Sequence, residues 1–180
     1  MIKPFSFTGA RKIVFGTGSF TKLAEYIQSL KGRRPLIVLD RNLAAAGFRE
    51  KVNGVLGRDG LKIRFFDKAD PEPKLDLADE GARIALKAKC DLVVGIGGGS
   101  AMDLAKAVAA VAGIQGRAAD YLGLNRVPGP GLPTIMIPTT AGTGSEVTFT
   151  AVFVRPDLKK KEGMNSPYLY PDIALLDPEL

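Results

Sequence analysis

Val93-Val94-Gly95-Ile96-Gly97-Gly98-Gly99-Ser100-Ala101-Met102-Asp103-Leu104-Ala105-Lys106 is the stretch from which the rest of this chain can be read. Apolar β-branched residues run straight into three glycines, and a serine then opens an alanine-rich segment with the composition of a helix. The layout is a strand, a tight turn and a helix N-terminus. Consecutive glycines let the backbone approach a ligand with no Cβ in the way. The unpaired N–H groups of a first helical turn, together with the positive end of the helix dipole, suit a phosphate. Ser100 and Asp103 have the spacing of a capping box, with Asp in place of the usual Glu or Gln. A diphosphate-bearing cofactor is the expected guest. A plain strand-to-helix turn capped by Ser100 would use the same residues, and neither GxGxxG nor GxxxxGK[ST] occurs in the chain.

A second segment tips that balance. Thr134-Ile135-Met136-Ile137 is a short apolar run that reads as another buried strand. Pro138-Thr139-Thr140-Ala141-Gly142-Thr143-Gly144-Ser145-Glu146-Val147-Thr148 follows directly. Pro138 stops the strand, two glycines loosen the backbone, and hydroxyls crowd the loop. Taken alone, this is a Thr/Ser/Gly turn with local side-chain-to-backbone bonds. Two such loops, each after a buried strand, point to one cleft bordered by strand ends.

Outward from these segments the chain alternates strand and helix. Strands are predicted at 13–15, 36–39, 62–66, 92–96 and 134–137, and helical stretches at 20–30, from Asp40 to about 56, at 75–88 and after the glycine turn. Pro71 and Pro73 mark a loop, and 127–131 reads as a surface loop. This rhythm predicts an α/β fold with a parallel sheet and helices on both faces. After Ser145 the texture changes. Residues 146–154 read as a strand, 157–163 as a charged loop and 173–176 as the return strand of a β-hairpin appended to the sheet.

Composition agrees with a single domain over 1–180. The chain is 46% hydrophobic and 24% charged, ordinary values for a globular protein. No apolar run has the length of a bilayer span and no signal-peptide pattern opens the chain, so no membrane partner is expected. One cysteine, Cys90, rules out an internal disulfide and fits a cytoplasmic location. Set before Asp91 and a buried strand, Cys90 reads as a small packed residue. The net charge of +6 raises the question of nucleic acid. However, Lys31-Gly32-Arg33-Arg34 sits at a predicted helix end, where cations complement the dipole. No recognition helix or aromatic stacking surface accompanies it or Lys159-Lys160-Lys161, so nucleic acid is not an expected partner.

The two glycine loops carry a resemblance. Gly97 to Lys106 and Pro138 to Thr148 are similar, nearly letter for letter, to the GGGSxxDxAK and PTTAGTGSEVT segments of the iron-containing (group III) alcohol dehydrogenases. Phe15-Gly16-Thr17-Gly18, Asp70-Pro71-Glu72-Pro73 and Tyr170-Pro171-Asp172-Ile173-Ala174-Leu175-Leu176-Asp177-Pro178 support the match, which extends over essentially the whole chain. Glycerol dehydrogenases and dehydroquinate synthases share the fold but match the second segment less well. The resemblance implies a Rossmann-like N-terminal dinucleotide-binding domain. In the family a helical C-terminal domain follows and carries a divalent metal, iron or zinc, on an aspartate and three histidines. This chain has no histidine, so it is expected to hold neither that metal site nor catalytic residues of its own.

What the resemblance implies for function is hydride transfer between an alcohol or aldehyde and NAD(P), in a homo-oligomer, with these residues as the cofactor-binding half. The alternatives are a glycerol dehydrogenase-like or dehydroquinate synthase-like relative, or a non-catalytic NAD-binding module. Asp40, at the end of an apolar strand, is expected to bind the adenosine ribose hydroxyls and to repel a 2′-phosphate, favouring NAD over NADP, with Arg41 softening the choice. Gly97, Gly98, Gly99 and Ser100 are expected at the diphosphate, Ser100 also through its hydroxyl. Asp103 is expected to cap the helix and brace the cleft near the nicotinamide ribose. Thr139, Thr140, Gly142 and Thr148 match positions on the adenosine and ribose side, and Lys161 a lysine that reaches the nicotinamide ribose. Lys160 is a rival for that role, because a run of three lysines leaves the register open. Residues 70–73 are expected to form a loop over the adenine end.

Overall fold

Leu36-Ile37-Val38-Leu39 is apolar at every position, as a strand inside a doubly covered sheet must be, and all four side chains are fully buried. The computed structural model describes residues 4–57, 60–155 and 158–180. In chain order its strands are β1 (Lys12–Phe15), β2 (Pro35–Asp40), β3 (Arg64–Ala69), β4 (Leu92–Gly97), β5 (Gly123–Leu124), β6 (Thr134–Pro138), β7 (Thr150–Arg155), β8 (Lys160–Asn165) and β9 (Ile173–Leu176). The α-helices are α1 (Leu23–Ser29), α2 (Arg41–Ala45), α3 (Phe48–Leu56), α4 (Asp76–Lys87) and α5 (Gly99–Ile114).

Six strands form one all-parallel sheet in the order β1-β9-β6-β4-β2-β3. Because side chains alternate across a strand, Leu36 and Val38 enter one core while Ile37 and Leu39 enter the other. The first core is closed by the alanines of α4 and by α5, the second by Leu23 and Ile27 of α1 and Val52 and Leu56 of α3. The parallel α/β sandwich is therefore the architecture that the sequence predicts. α5 is apolar nearly all round, as expected of a helix covered on every side. Its outer face lies under a second sheet of order β5-β8-β7, through Ala151, Phe153 and Met164.

Two details differ from the sequence-based expectation. The hairpin pairs β7 with β8 antiparallel, Thr150 opposite Asn165, whereas residues 173–176 enter the parallel sheet between β1 and β6 as β9. Asp157, where the charged loop was expected to begin, lies outside the described residues. The helical stretch after Asp40 is two helices, broken at Gly47 by a φ of +84°. The loop at 127–131 lies at the surface as expected, with Pro128 and Pro130 exposed, but it is anchored at both ends: Val127 is buried, and a Cβ on Gly131 would stand 2.5 Å from the Ala109 carbonyl oxygen of α5.

From β2 the chain adds β3 on one side, then crosses to place β4, β6 and β9 on the other. The carboxyl ends of β2 and β4 thus flank the point where the winding reverses, which is where open α/β sheets bind ligands.

A candidate nucleotide-binding cleft at the strand ends

Gly97, the last residue of β4, holds a φ of +141°. A Cβ there would stand 2.9 Å from both the Asp40 and the Ala101 Cβ atoms. Glycine is therefore required on two counts: the backbone angle is one that L side chains rarely adopt, and two strands and a helix converge on the spot. Gly98 follows in extended geometry as the N-cap of α5. A Cβ on Gly98 would touch Thr140 Oγ1 at 3.4 Å, and one on Gly99 would meet Thr143 Cβ at 3.3 Å. The two glycine loops therefore face each other across a narrow gap. They are tied at the base, where Thr139 N donates to Gly97 O at 3.0 Å.

The N–H groups of Gly98, Gly99 and Ser100 have no hydrogen-bond partner among the described residues. They open a helix of 16 residues with no acidic side chain in its first turn. Unpaired donors at the positive end of a helix dipole suit an anion.

Asp40 stands beside them. Its Oδ1 accepts from Asn42 N at 2.8 Å and from Leu43 N at 3.3 Å, capping α2. Its Oδ2 accepts no hydrogen bond among the described residues. Arg41, the cation that could have weakened discrimination against a 2′-phosphate, has its Nε 3.1 Å from Asp70.

Thr139, Thr140 and Gly142 line a cleft of about 490 Å³ over the ends of β6, β9 and β1, with Phe15, Glu146 and Asp177 on its other walls. Asp177 is buried. Burial pushes its carboxyl upward, but N–H donors from Phe20, Glu179 and Gly18, with Lys51 nearby, together hold it below the usual range. This carboxylate pins the turn after β1 to the chain after β9. Lys161 stands over a smaller cavity that Ser100, Asp103 and residues 71–73 also line, its Nζ 3.3 Å from Glu72. Lys160 pairs with Glu162 at 2.7 Å and is not among the residues lining that cavity. Of the two lysines, Lys161 is the one beside Ser100 and Asp103.

Three expected roles need correction. Ser100 and Asp103 do not form a capping box, because Ser100 already lies inside α5 and Gly98 is the cap. The Ser100 hydroxyl donates to Pro71 O at 2.6 Å and so anchors the 70–73 loop, leaving the backbone N–H as its open donor. Asp103 turns away from the helix end, accepting from Ser145 Oγ at 2.5 Å and Val152 N at 3.0 Å. Thr148 directs its hydroxyl to Lys106 Nζ, 3.5 Å away, and not to the cleft that Thr139, Thr140 and Gly142 line. The residue given no role from sequence is Lys106, whose ammonium is buried behind the second loop. A lysine one turn after Asp103, within otherwise Ala-Val-rich sequence, was the available signal.

Cys90 is half-buried, and burial, then Asp91, pushes its thiol up to about 11. It is a packed residue and not a thiolate nucleophile at neutral pH. Among the described residues, no three His, Cys, Asp or Glu side chains cluster as metal ligands, and the chain has no histidine. The donor set does not fit a resident divalent metal. No helix among the described residues is long and apolar enough to cross a membrane.

Comparison with known proteins gives a consistent picture. Residues 10–178 match the family described as "Iron-containing alcohol dehydrogenase". The chain is 37% identical over 170 residues to the sulfoacetaldehyde reductase of Bilophila wadsworthia (strain 3_1_6), covering 94% of this chain and 44% of that one. It is 38% identical over 167 residues to the NAD-dependent methanol dehydrogenase of Bacillus methanolicus, covering 93% and 44%. The structure of sulfoacetaldehyde reductase from Bifidobacterium kashiwanohense in complex with NAD+ superposes with a TM-score of 0.86 at 31% identity, covering 98% of this chain and 47% of that one. This chain therefore spans under half the length of the curated relatives it matches.

Proposed function

This chain belongs to the iron-containing alcohol dehydrogenase family, and from that premise we propose that it is the NAD-binding part of an oxidoreductase that moves hydride between an alcohol or aldehyde and the nicotinamide. The observation that carries the reading is the juxtaposition of three N–H groups at the start of α5 with a carboxylate oxygen of Asp40, none of which has a partner among the described residues. The first feature suits a diphosphate. The second suits a pair of ribose hydroxyls and repels a 2′-phosphate, so NAD is preferred to NADP.

The residues then fall into a path along the strand ends. Asp40 takes the adenosine ribose, and Gly97 provides the close approach of the backbone. Gly98, Gly99 and Ser100 take the diphosphate through N–H groups. Thr139, Thr140 and Gly142 wall the cleft, and Lys161 reaches the nicotinamide ribose beside Asp103, with Thr148 supporting the second loop from behind. NAD supplies the hydride acceptor; this chain's own residues bind the cofactor, orient it and exclude its 2′-phosphorylated form. No step is assigned to a metal, because the donor set does not fit one. A homo-oligomer in the cytoplasm belongs to the same proposal.

Calorimetric titration with NAD and with NADP, on the wild type and on Asp40→Ala, tests the reading. Losing a hydrogen bond to a charged group costs about 1.5–3 kcal/mol, or about tenfold to a hundredfold in affinity. Wild type should prefer NAD, and Asp40→Ala should lose most of that preference. A folded chain that binds neither nucleotide at millimolar concentration would sink the proposal.

A further inference from the structure

Lys106 is set among the apolar residues of α5 and its side chain is fully buried. A buried ammonium is costly unless its donors are satisfied. Here Nζ donates to Ser145 O at 2.9 Å and to Thr150 O at 2.5 Å, and it lies 3.3 Å from Asp103 Oδ1. These acceptors flank the stretch in which the chain leaves the 139–144 loop for β7. Among the described residues, the backbone bonds between Gly144 and Thr148 are those of a short 3-10 turn, Val147 N to Gly144 O and Thr148 N to Ser145 O. Asp103, one turn earlier on α5, holds the same stretch from the acceptor side through Ser145 Oγ and Val152 N.

The helix whose N-terminus forms one half of the cleft thus also grips the root of the other half. We propose that Lys106 is a positioning residue: with Asp103 it fixes the 139–144 loop against the glycine turn and so sets the width of the gap into which the cofactor fits. The proposal rests on the NAD-binding reading above for its functional consequence, but its structural claim can be judged separately. Burial pushes the Lys106 ammonium down from its ordinary range, against the pull of Asp103 and Glu146. A methionine there would relieve the desolvation cost and leave the loop carbonyls of Ser145 and Thr150 without their donor. Global stability and loop order are therefore expected to separate in the variant. A side chain that merely fills the core would change both together.

The experiment is amide hydrogen exchange and NAD calorimetry on the full chain for wild type, Lys106→Met and Lys106→Arg. In Lys106→Met, exchange over residues 142–150 should rise at least tenfold while β4 and β6 keep their protection, and the NAD dissociation constant should rise at least tenfold. Lys106→Arg keeps charge and donors, and should recover most of both losses. If Lys106→Met fails to fold, Asp103→Asn carries the same test, because it removes the charge that shares the ammonium. Unchanged exchange over 142–150 in a folded Lys106→Met, or an arginine variant as loose as the methionine one, overturns the positioning role. Raised exchange with NAD affinity within twofold of wild type overturns its link to the cofactor. A wild type that binds no NAD refutes the functional reading instead, and the exchange data still decide the clamp.

Discussion

Replacing Gly97 and Gly98 one at a time with alanine should separate what the glycine turn does for folding from what it does for binding. At Gly97 the added methyl meets two Cβ atoms at 2.9 Å, both on elements that cannot swing aside. Overpacking of this kind costs about 1–3 kcal/mol, and a φ of +141° adds strain of about 1–3 kcal/mol. The sum, about 2–6 kcal/mol, is a large fraction of the roughly 5–15 kcal/mol that holds a typical domain folded. At Gly98, φ −76° and ψ −176° suit any residue, and the new methyl has only an ordinary contact with Thr140 Oγ1 at 3.4 Å. Its stability should stay within about 1 kcal/mol of wild type. Its methyl, however, projects into the gap between the loops and should weaken NAD by about tenfold, roughly 1.4 kcal/mol. Urea unfolding followed by circular dichroism reads the first quantity and calorimetry the second. A Gly97→Ala chain that unfolds at the wild-type urea midpoint would refute the close-approach argument, and equal loss of stability in both variants would refute the division of labour.

Three further outcomes follow from the packing and the titrating groups. The folded pKa of Asp177 is held below its unfolded value, so its stabilisation is fully present above about pH 4 and is lost as pH falls through the folded value. Asp177→Asn should therefore be less stable than wild type at pH 7 and converge with it toward pH 2 in urea titrations; a constant gap would contradict the assignment. With its thiol near 11, Cys90 is about one part in a thousand thiolate at pH 8, and it should react with a disulfide reagent far more slowly in the native chain than in urea. Gly81→Ala on α4 would place a methyl 2.5 Å from Val108 Cγ2 of α5. The overpacking cost of about 1–3 kcal/mol should outweigh the gain of about 0.5–1 kcal/mol from replacing a helical glycine, which the urea midpoint will report.

The fold was legible wherever burial is two-sided. Leu36-Ile37-Val38-Leu39 and Val93-Val94 are uninterrupted apolar runs because both faces of β2 and β4 are covered, and such runs distinguish interior parallel strands from half-exposed ones. The same rule identifies Ile173-Ala174-Leu175, fully apolar and buried in β9, as an interior strand of the main sheet. The real partner of β7 is Lys160-Lys161-Glu162-Gly163-Met164-Asn165, in which only Met164 is buried. It was hidden because this strand, although central in its small sheet, buries only one side chain, and its polar residues resemble a loop.

For the site, residues whose role lies in the backbone were legible and those whose role lies in tertiary hydrogen bonds were not. Gly97, Gly98 and Gly99 signal their function through the absence of a side chain, which is local information. Ser100 and Asp103 have a spacing that local rules assign to a cap. Yet α5 begins one residue earlier, at Gly99, so both side chains are carried past the helix end and find partners in Pro71, Ser145 and Val152. Those partners lie 29 to 49 residues away in sequence, beyond any window of local periodicity. Lys106 is the strongest case, because on an Ala-Val-rich helix a lysine reads as a solvated charge that marks the exposed face. The second sheet covers that face, and the carbonyls of Ser145 and Thr150 together with the Asp103 carboxylate make the burial tolerable. A charged residue in a helix with no other polar face is thus better read as a tether whose acceptors have yet to be found than as a sign of exposure.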